Sequence, residues 1–292
     1  MEDTVKLEHV NKAFDGFGLN DVSFSVKKGF VTGFIGPNGS GKTTTIKLLM
    51  DLLKRDSGEL NIFGLDNANH SKDIKQRIGF VYADNHFYNH LTARQMKRVV
   101  ASFYEKWDDA VFQHYMNRFD LPWKRKIKHL STGMRMKLSL AIALSHHADL
   151  IIMDEPTSGL DPVFRSEILD ILSDVIQDET KTVFFSTHIT TDLEQIADFI
   201  TFIYNGEIIF SDNKDRILEK YYIVRGAAEL LDPDIRSMFI HLRETSVGFE
   251  GLTNEPEKIS NLMGEHVMME PATLEEIMVN TVRSEKNAQF TL

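Results

Sequence analysis

Eight residues, Gly36-Pro37-Asn38-Gly39-Ser40-Gly41-Lys42-Thr43, restrict the fold more than any other stretch of this chain. They match G-x-x-x-x-G-K-[ST], the pattern of a loop that holds nucleotide phosphates. Phosphate oxygens are crowded and highly charged, and backbone N–H groups converging on one concavity bind them well. Gly36, Gly39 and Gly41 let the backbone curl closely because they lack a Cβ. Lys42 is placed to reach the β- and γ-phosphates and the Thr43 hydroxyl to ligate Mg²⁺. The context agrees: Phe30 to Ile35 reads as a short buried strand and Thr44 to Leu53 as a helix whose N-terminus points at the anion.

A second motif follows downstream. Leu150-Ile151-Ile152-Met153-Asp154-Glu155 is an apolar strand ending in two carboxylates. Ligands of an open parallel sheet sit at the carboxyl ends of its strands. Asp154 is then placed to help hold Mg²⁺ and Glu155 to polarise the water that attacks the γ-phosphate.

The remaining pattern organises around these motifs. Val5 to Phe14 and Val22 to Val26 alternate like antiparallel strands, and Glu59 to Phe63 and Ile78 to Tyr82 read as further strands. Helical period takes over from Thr92 to His147. Thr92 is expected to cap a helix reaching Tyr104, Asp108 one reaching Phe119, and Ser131 to open one through Ala143. Strands return at Asp149 to Met153 and Thr182 to Ser186, with a helix from Val163 to Ile176 between them. Phe199 to Tyr204 and Ile208 to Phe210 form a hairpin through Asn205-Gly206. This alternation implies an α/β core with a parallel sheet, carrying an antiparallel β subdomain and an inserted helical block over about 84–147. Residues 214–292 are expected to be a small α+β accessory domain beside a nucleotide-binding domain over 1–213, with a last helix at Leu274 to Val282.

Composition narrows the function classes. No cysteine is present, which removes disulfides, thiolate metal sites and a cysteine nucleophile. No run of about 18 apolar residues exists, so no membrane span is expected. The N-terminus is acidic and without an apolar signal region. A net charge of −10 with an acidic last quarter speaks against a nucleic-acid arm or an anchor on anionic lipid.

With these motifs in order, the chain resembles the ATP-binding subunits of ABC transporters. Leu130-Ser131-Thr132-Gly133-Met134 stands where that family has its signature sequence. Ser158-Gly159-Leu160-Asp161 resembles its D-loop and Ser186-Thr187-His188 its switch histidine. Phe14 lies where the family has an adenine-stacking aromatic, although sheet packing would also explain it. The resemblance covers about residues 4 to 212 and implies a P-loop NTPase (RecA-like) core with ATPase activity. It implies ATP held by Gly36, Asn38, Gly39, Ser40, Gly41, Lys42, Thr43 and Thr44, with Phe14 at the base and Mg²⁺ beside Thr43 and Asp154. Glu155, His188 and Lys42 would carry the catalysis. Ser131 and Gly133 would serve the nucleotide of an opposite subunit, so that two ATP molecules are sandwiched head-to-tail between two copies or between this chain and a homologous ATPase.

Two departures stand out. Thr132 replaces the first glycine of the signature pair, a change expected to be tolerated. Between Ile78-Gly79-Phe80-Val81-Tyr82 and Phe87-Tyr88-Asn89-His90-Leu91-Thr92, the position that should be glutamine is Ala83. Asp84 is the natural substitute as metal or water sensor, with Asn85 second and an unrelated loop aspartate as the alternative. Such changes resemble a subgroup of bacterial exporters of antimicrobial or amphipathic peptides, the bacitracin and phenol-soluble-modulin exporters among them. The resemblance therefore implies a separate integral membrane permease, location on the cytoplasmic face of the cell membrane, and export of peptides or other amphipathic compounds. Phe87, Tyr88, Val99, Phe103, Tyr104 and Trp107 would either line a permease groove or pack as core. The competing reading is a soluble ABC-type ATPase in DNA maintenance or translation. It is disfavoured by the single ATPase unit and the absence of long heptads.

Overall fold

The alternating N-terminal pattern builds a long antiparallel pair, β1 (Asp3–Phe14) and β2 (Phe17–Lys27), turning at Asp15-Gly16. A computed structural model describes residues 1–82 and 87–290, which divide into two compact units at Ser211/Asp212. In the first unit, β3 (Val31–Ile35) is buried along its whole length, as an apolar central strand must be. After the phosphate-loop octet comes α1 (Lys42–Leu49). β4 (Ser57–Ile62) and β5 (Leu65–Asp66) complete an antiparallel sheet of order β2-β1-β4-β5. A short α2 (Ser71–Lys75) leads into β6 (Ile78–Tyr82).

The helical block consists of α3 (Ala93–Ala101), α4 (Asp109–Arg118) and α5 (Thr132–Leu144). Its caps are the expected ones. Thr92 accepts from the Gln95 N–H in a capping box, Asp108 accepts from Ala110 and Val111, and Ser131 accepts from Met134. Then follow β7 (Leu150–Asp154), α6 (Pro162–Val175), β8 (Thr182–Thr187), α7 (Thr190–Ile196), β9 (Phe199–Tyr204) and β10 (Glu207–Asn213).

The main sheet runs β10-β9-β3-β8-β7-β6, and its strands β9, β3, β8, β7 and β6 pair in parallel. This order sets β3, β8 and β7 side by side. Ile35 pairs with Thr187 and Asp154 with Ser186, so the carboxyl ends of three strands converge on one edge. Phe24 of the antiparallel sheet and Phe34 and Phe184 of the parallel sheet pack at ring separations of 5.3–5.9 Å, joining the two sheets in one core.

Two helices stop earlier than their apolar pattern. α1 ends at Leu49 because Asp51 takes φ 49°, a left-handed conformation that breaks the helix before Leu52-Leu53. α3 ends at Ala101, and Tyr104 then stacks on the buried His146 at 3.8 Å between ring centroids.

The second unit is built from α8 (Lys214–Lys220), β11 (Tyr222–Gly226), α9 (Pro233–Arg236), β12 (His241–Thr245), β13 (Gly248–Thr253), α10 (Pro256–Met263), β14 (Val267–Pro271) and α11 (Leu274–Phe290). Its antiparallel sheet has the order β12-β13-β11-β14, a split β-α-β-β-α-β arrangement. Val224, Phe249, Ile259 and Met263 form its core.

Candidate functional site

The octet folds into a tight loop closed by the Ser40 N–H donating to the Pro37 carbonyl. Gly41 sits at the N-cap of α1 with φ 116°, where a Cβ would lie 2.6 Å from the Leu19 side chain, so glycine is required there. No side chain caps α1, which leaves its first N–H groups and the positive dipole end for an anion. A cleft of about 460 Å³ opens over this helix end, lined by Phe17, Asn38, Gly39, Gly41, Lys42, Thr43, Thr44 and Glu155. The buried Ser40 hydroxyl has no hydrogen-bond partner among the described residues.

Lys42 is nearly buried. Its ammonium donates to the Gly36 carbonyl at 2.7 Å and the Pro37 carbonyl at 3.2 Å, and lies 3.3 Å from Glu155 Oε1. The ammonium is thus held in the loop by carbonyls that phosphate oxygens can replace.

The convergent strand ends bring the other groups into reach. Asp154 ends β7, and its Oδ1 accepts from the Ser186 hydroxyl of β8 at 2.6 Å. Glu155 follows at φ 52°, an uncommon conformation for a non-glycine residue. Its N–H is shared between the Ser186 carbonyl and hydroxyl, both at 3.1 Å, which holds the strained turn in place. Glu155 Oε2 accepts from His188 Nδ1 at 2.7 Å. A carboxylate only accepts, so His188 carries a proton on Nδ1. One carboxylate therefore contacts both Lys42 and His188. Ser186 was visible in the sequence only as a neighbour of His188; its links to the Asp154 carboxylate and the Glu155 N–H are tertiary contacts without a local signal.

Phe14 lies beside this cleft rather than in its lining. Its ring stacks on Phe17 at 6.3 Å and is 43% exposed, while Phe17 forms the wall. Ser131 and Gly133 stand at the N-terminus of α5 and are not part of that lining. Ser131 is exposed and its hydroxyl caps the helix. Gly133 has a reason within the chain as well: the Phe164 ring of α6 lies 2.7 Å from where its Cβ would be. Ala83, Asp84 and Asn85 lie outside the described residues. Of the apolar and aromatic set in the helical block, Tyr88, Val99 and Phe103 are exposed, whereas Phe87, Tyr104 and Trp107 are partly buried, Trp107 packing against Phe112.

A family model described as ABC transporter matches residues 19–158. The ABC transporter ATP-binding protein YtrB of Bacillus subtilis (strain 168) is 31% identical over 244 residues, covering 83% of this chain and 81% of that protein. The chain belongs to the ABC transporter ATP-binding family. The bacitracin transport ATP-binding protein BcrA of Bacillus licheniformis is 34% identical over 209 residues, covering 71% of this chain and 67% of that protein. Among solved structures, a dimeric bacterial ABC transporter cassette, MJ0796, superposes with a TM-score of 0.64 at 25% identity, covering 72% of this chain and 98% of that one. This ATP-binding subunit is accordingly an ATPase with the P-loop fold of such cassettes. Among the described residues no helix is long and apolar enough to cross a membrane.

Proposed function

We propose that this ATPase subunit pairs head-to-tail around two ATP molecules and drives a separate membrane permease in the export of peptides or other amphipathic compounds. The observation that supports it most is the division of the site. The cleft over α1 holds Lys42, Thr43 and Glu155, while the turn Ser131–Gly133, exposed at Ser131 and Thr132, presents a second helix N-terminus outside that cleft. A γ-phosphate in the cleft would leave one side for the Ser131–Gly133 turn of a second subunit, a source of N–H donors and a positive dipole end.

The residues then divide the work. Asn38, Gly39, Ser40, Gly41, Lys42 and Thr44 cradle the phosphates, with Lys42 exchanging the Gly36 and Pro37 carbonyls for phosphate oxygens. Phe17, and Phe14 stacked on it, face the base. Mg²⁺ prefers one or two carboxylates together with phosphate oxygens and water. The Thr43 hydroxyl and Asp154, with one oxygen oriented by Ser186, form a donor set of that kind. A Mg²⁺ held by these groups would supply neutralisation of charge on the phosphates. Glu155 polarises the attacking water, and His188 orients Glu155 through Nδ1 while Nε2 faces the γ-phosphate. Loss of that phosphate releases the clamp between the subunits, which turns hydrolysis into motion.

The relatives' names support peptide export: BcrA is named as a bacitracin transport ATP-binding protein. On this reading the subunit lies on the cytoplasmic face of the cell membrane. Residues 1–213 form the nucleotide-binding domain, and 214–292 form an accessory domain that mediates dimer contact or binds a regulator. Asp84 remains the proposed substitute for the glutamine missing at Ala83. Gentle purification from detergent-solubilised cells tests the whole reading. An integral membrane protein recovered in roughly equal amount supports it. Recovery with ribosomes, nucleic acid or soluble proteins alone would move the function to DNA maintenance or translation.

A further inference from the structure

Glu155 and His188 come from different strand ends, β7 and β8, yet their side chains meet at 2.7 Å. In front, Ser186 holds the Glu155 turn to β8. A second connection lies behind them. Asp192, in the first turn of α7, is fully buried. Its Oδ2 accepts from the Thr157 hydroxyl at 2.6 Å, and its Oδ1 accepts from Arg165 Nε. Arg165 also donates through Nη2 to Thr191 Oγ1. Thr157 stands two residues after Glu155, Asp192 four residues after His188, and Arg165 in the first turn of α6 beyond the Ser158–Asp161 loop.

A buried carboxylate is costly unless its lone pairs are met by good donors. Here a hydroxyl and a guanidinium meet both oxygens, and each donor comes from the segment following Glu155. The ion pair fixes one spacing between that segment and the helix following His188. Directional bonds of this kind define a geometry more sharply than apolar packing does.

We propose that Asp192 is a positioning residue for hydrolysis: through Thr157 and Arg165 it sets the distance between Glu155 and His188. Its side chain bonds to Thr157 and Arg165 and acts on the reaction only through them. The proposal rests on the assignment of Glu155 and His188 as the catalytic pair. A displacement of about 1 Å at a reacting group lowers turnover by up to roughly 100-fold, and a loosened brace acts on the chemical step while the phosphate cradle, on α1 and its loop, is left alone.

Thr157→Val is the cleanest test, because it keeps side-chain shape and removes only the donor, and Thr157→Ser restores the donor. The purified full-length chain is assayed for ATP turnover well below its melting temperature, with ATP-analogue binding counted per chain. Thr157→Val is expected to lower kcat roughly 10- to 100-fold with KM for ATP and binding stoichiometry unchanged, and Thr157→Ser to restore turnover. A role in folding alone would instead lower kcat only in proportion to the lost binding stoichiometry. Arg165→Lys loosens the same brace from a partly exposed position and should lower kcat about tenfold at constant KM. Turnover within twofold of wild type in Thr157→Val, equal loss in Thr157→Ser, or wild-type turnover in Arg165→Lys would overturn the proposal. Glu155→Gln assayed alongside separates the two assignments. If it too retains turnover, the catalytic pair is wrong; if it alone is inactive, only the brace is wrong.

Discussion

Replacing Ser186 with alanine removes one buried hydroxyl that serves both acidic residues at the end of β7. The hydroxyl donates to Asp154 Oδ1 at 2.6 Å and accepts from the Glu155 N–H, which keeps its second acceptor, the Ser186 carbonyl, at 3.1 Å. The loss therefore falls mainly on Asp154, itself buried. A hydrogen bond to a charged group contributes about 1.5–3 kcal/mol. For a unit of this size that corresponds to a fall in melting temperature of about 3–12 °C. The functional consequence is separate. Removing the partner that orients a metal-binding carboxylate weakens metal affinity about 10- to 100-fold. Ser186→Ala should thus shift the Mg²⁺ concentration for half-maximal ATPase activity upward by at least tenfold, with kcat recovering at saturating Mg²⁺. The assay is ATP turnover against Mg²⁺ at fixed ATP, with a thermal melt of the same sample. A lowered melting temperature with an unchanged Mg²⁺ requirement would refute the reasoning, because Ser186 would then brace the strand end without orienting a metal ligand.

Three further outcomes are expected. Gly133→Ala should lower turnover because its Cβ meets the Phe164 ring, and Phe164→Leu in the same chain should restore part of it; equal loss in single and double variants would show that the glycine is needed only for the nucleotide. Phe17→Ala should raise KM for ATP several-fold, about 1 kcal/mol of stacking, with a smaller effect for Phe14→Ala, measured by steady-state kinetics. The third concerns pH. Burial pushes the His146 imidazole below its ordinary range, with both ring nitrogens facing the Ile78 and Ile142 carbonyls. The unfolded chain then binds the extra proton first, so stability from this residue is present above the unfolded pKa near 6.5 and is lost as pH falls toward the folded value. Melting temperatures from pH 7 down to 5 should fall less steeply in His146→Gln than in wild type, and an identical slope in the two would contradict this.

The core of the site was legible because it rests on local chemistry. Gly41, Lys42 and Thr43 act within one loop, and Asp154 and Glu155 are marked by an apolar run that stops at two charges. The helix caps Thr92, Asp108 and Ser131 were legible for the same reason: a cap is a contact with residues two or three positions on. What stayed hidden is tertiary. Phe17 reaches the cleft from a strand more than one element upstream, and nothing in its surroundings distinguishes it from Phe14. Ser186, Phe164 and the Asp192 brace connect segments about 30 residues apart, and no periodicity encodes such pairs. The ends of α1 and α3 were misplaced because apolar residues continue past the point where the backbone turns. In the second unit, β12 is short and largely polar, and Arg225 bridges Glu250 and Glu270 across its sheet, so the strands carry little of the alternation that announces a half-buried sheet.

The central claim is that one nucleotide is enclosed by two subunits. Its most direct measurement is the mass in solution of the Glu155→Gln chain, where hydrolysis is blocked, as a function of ATP with Mg²⁺. A monomer without nucleotide that doubles in mass as ATP saturates, and fails to do so when the Ser131–Gly133 turn is disrupted by Ser131→Arg, is the expected result. A chain that binds ATP fully and stays monomeric at every protein concentration tested would contradict it.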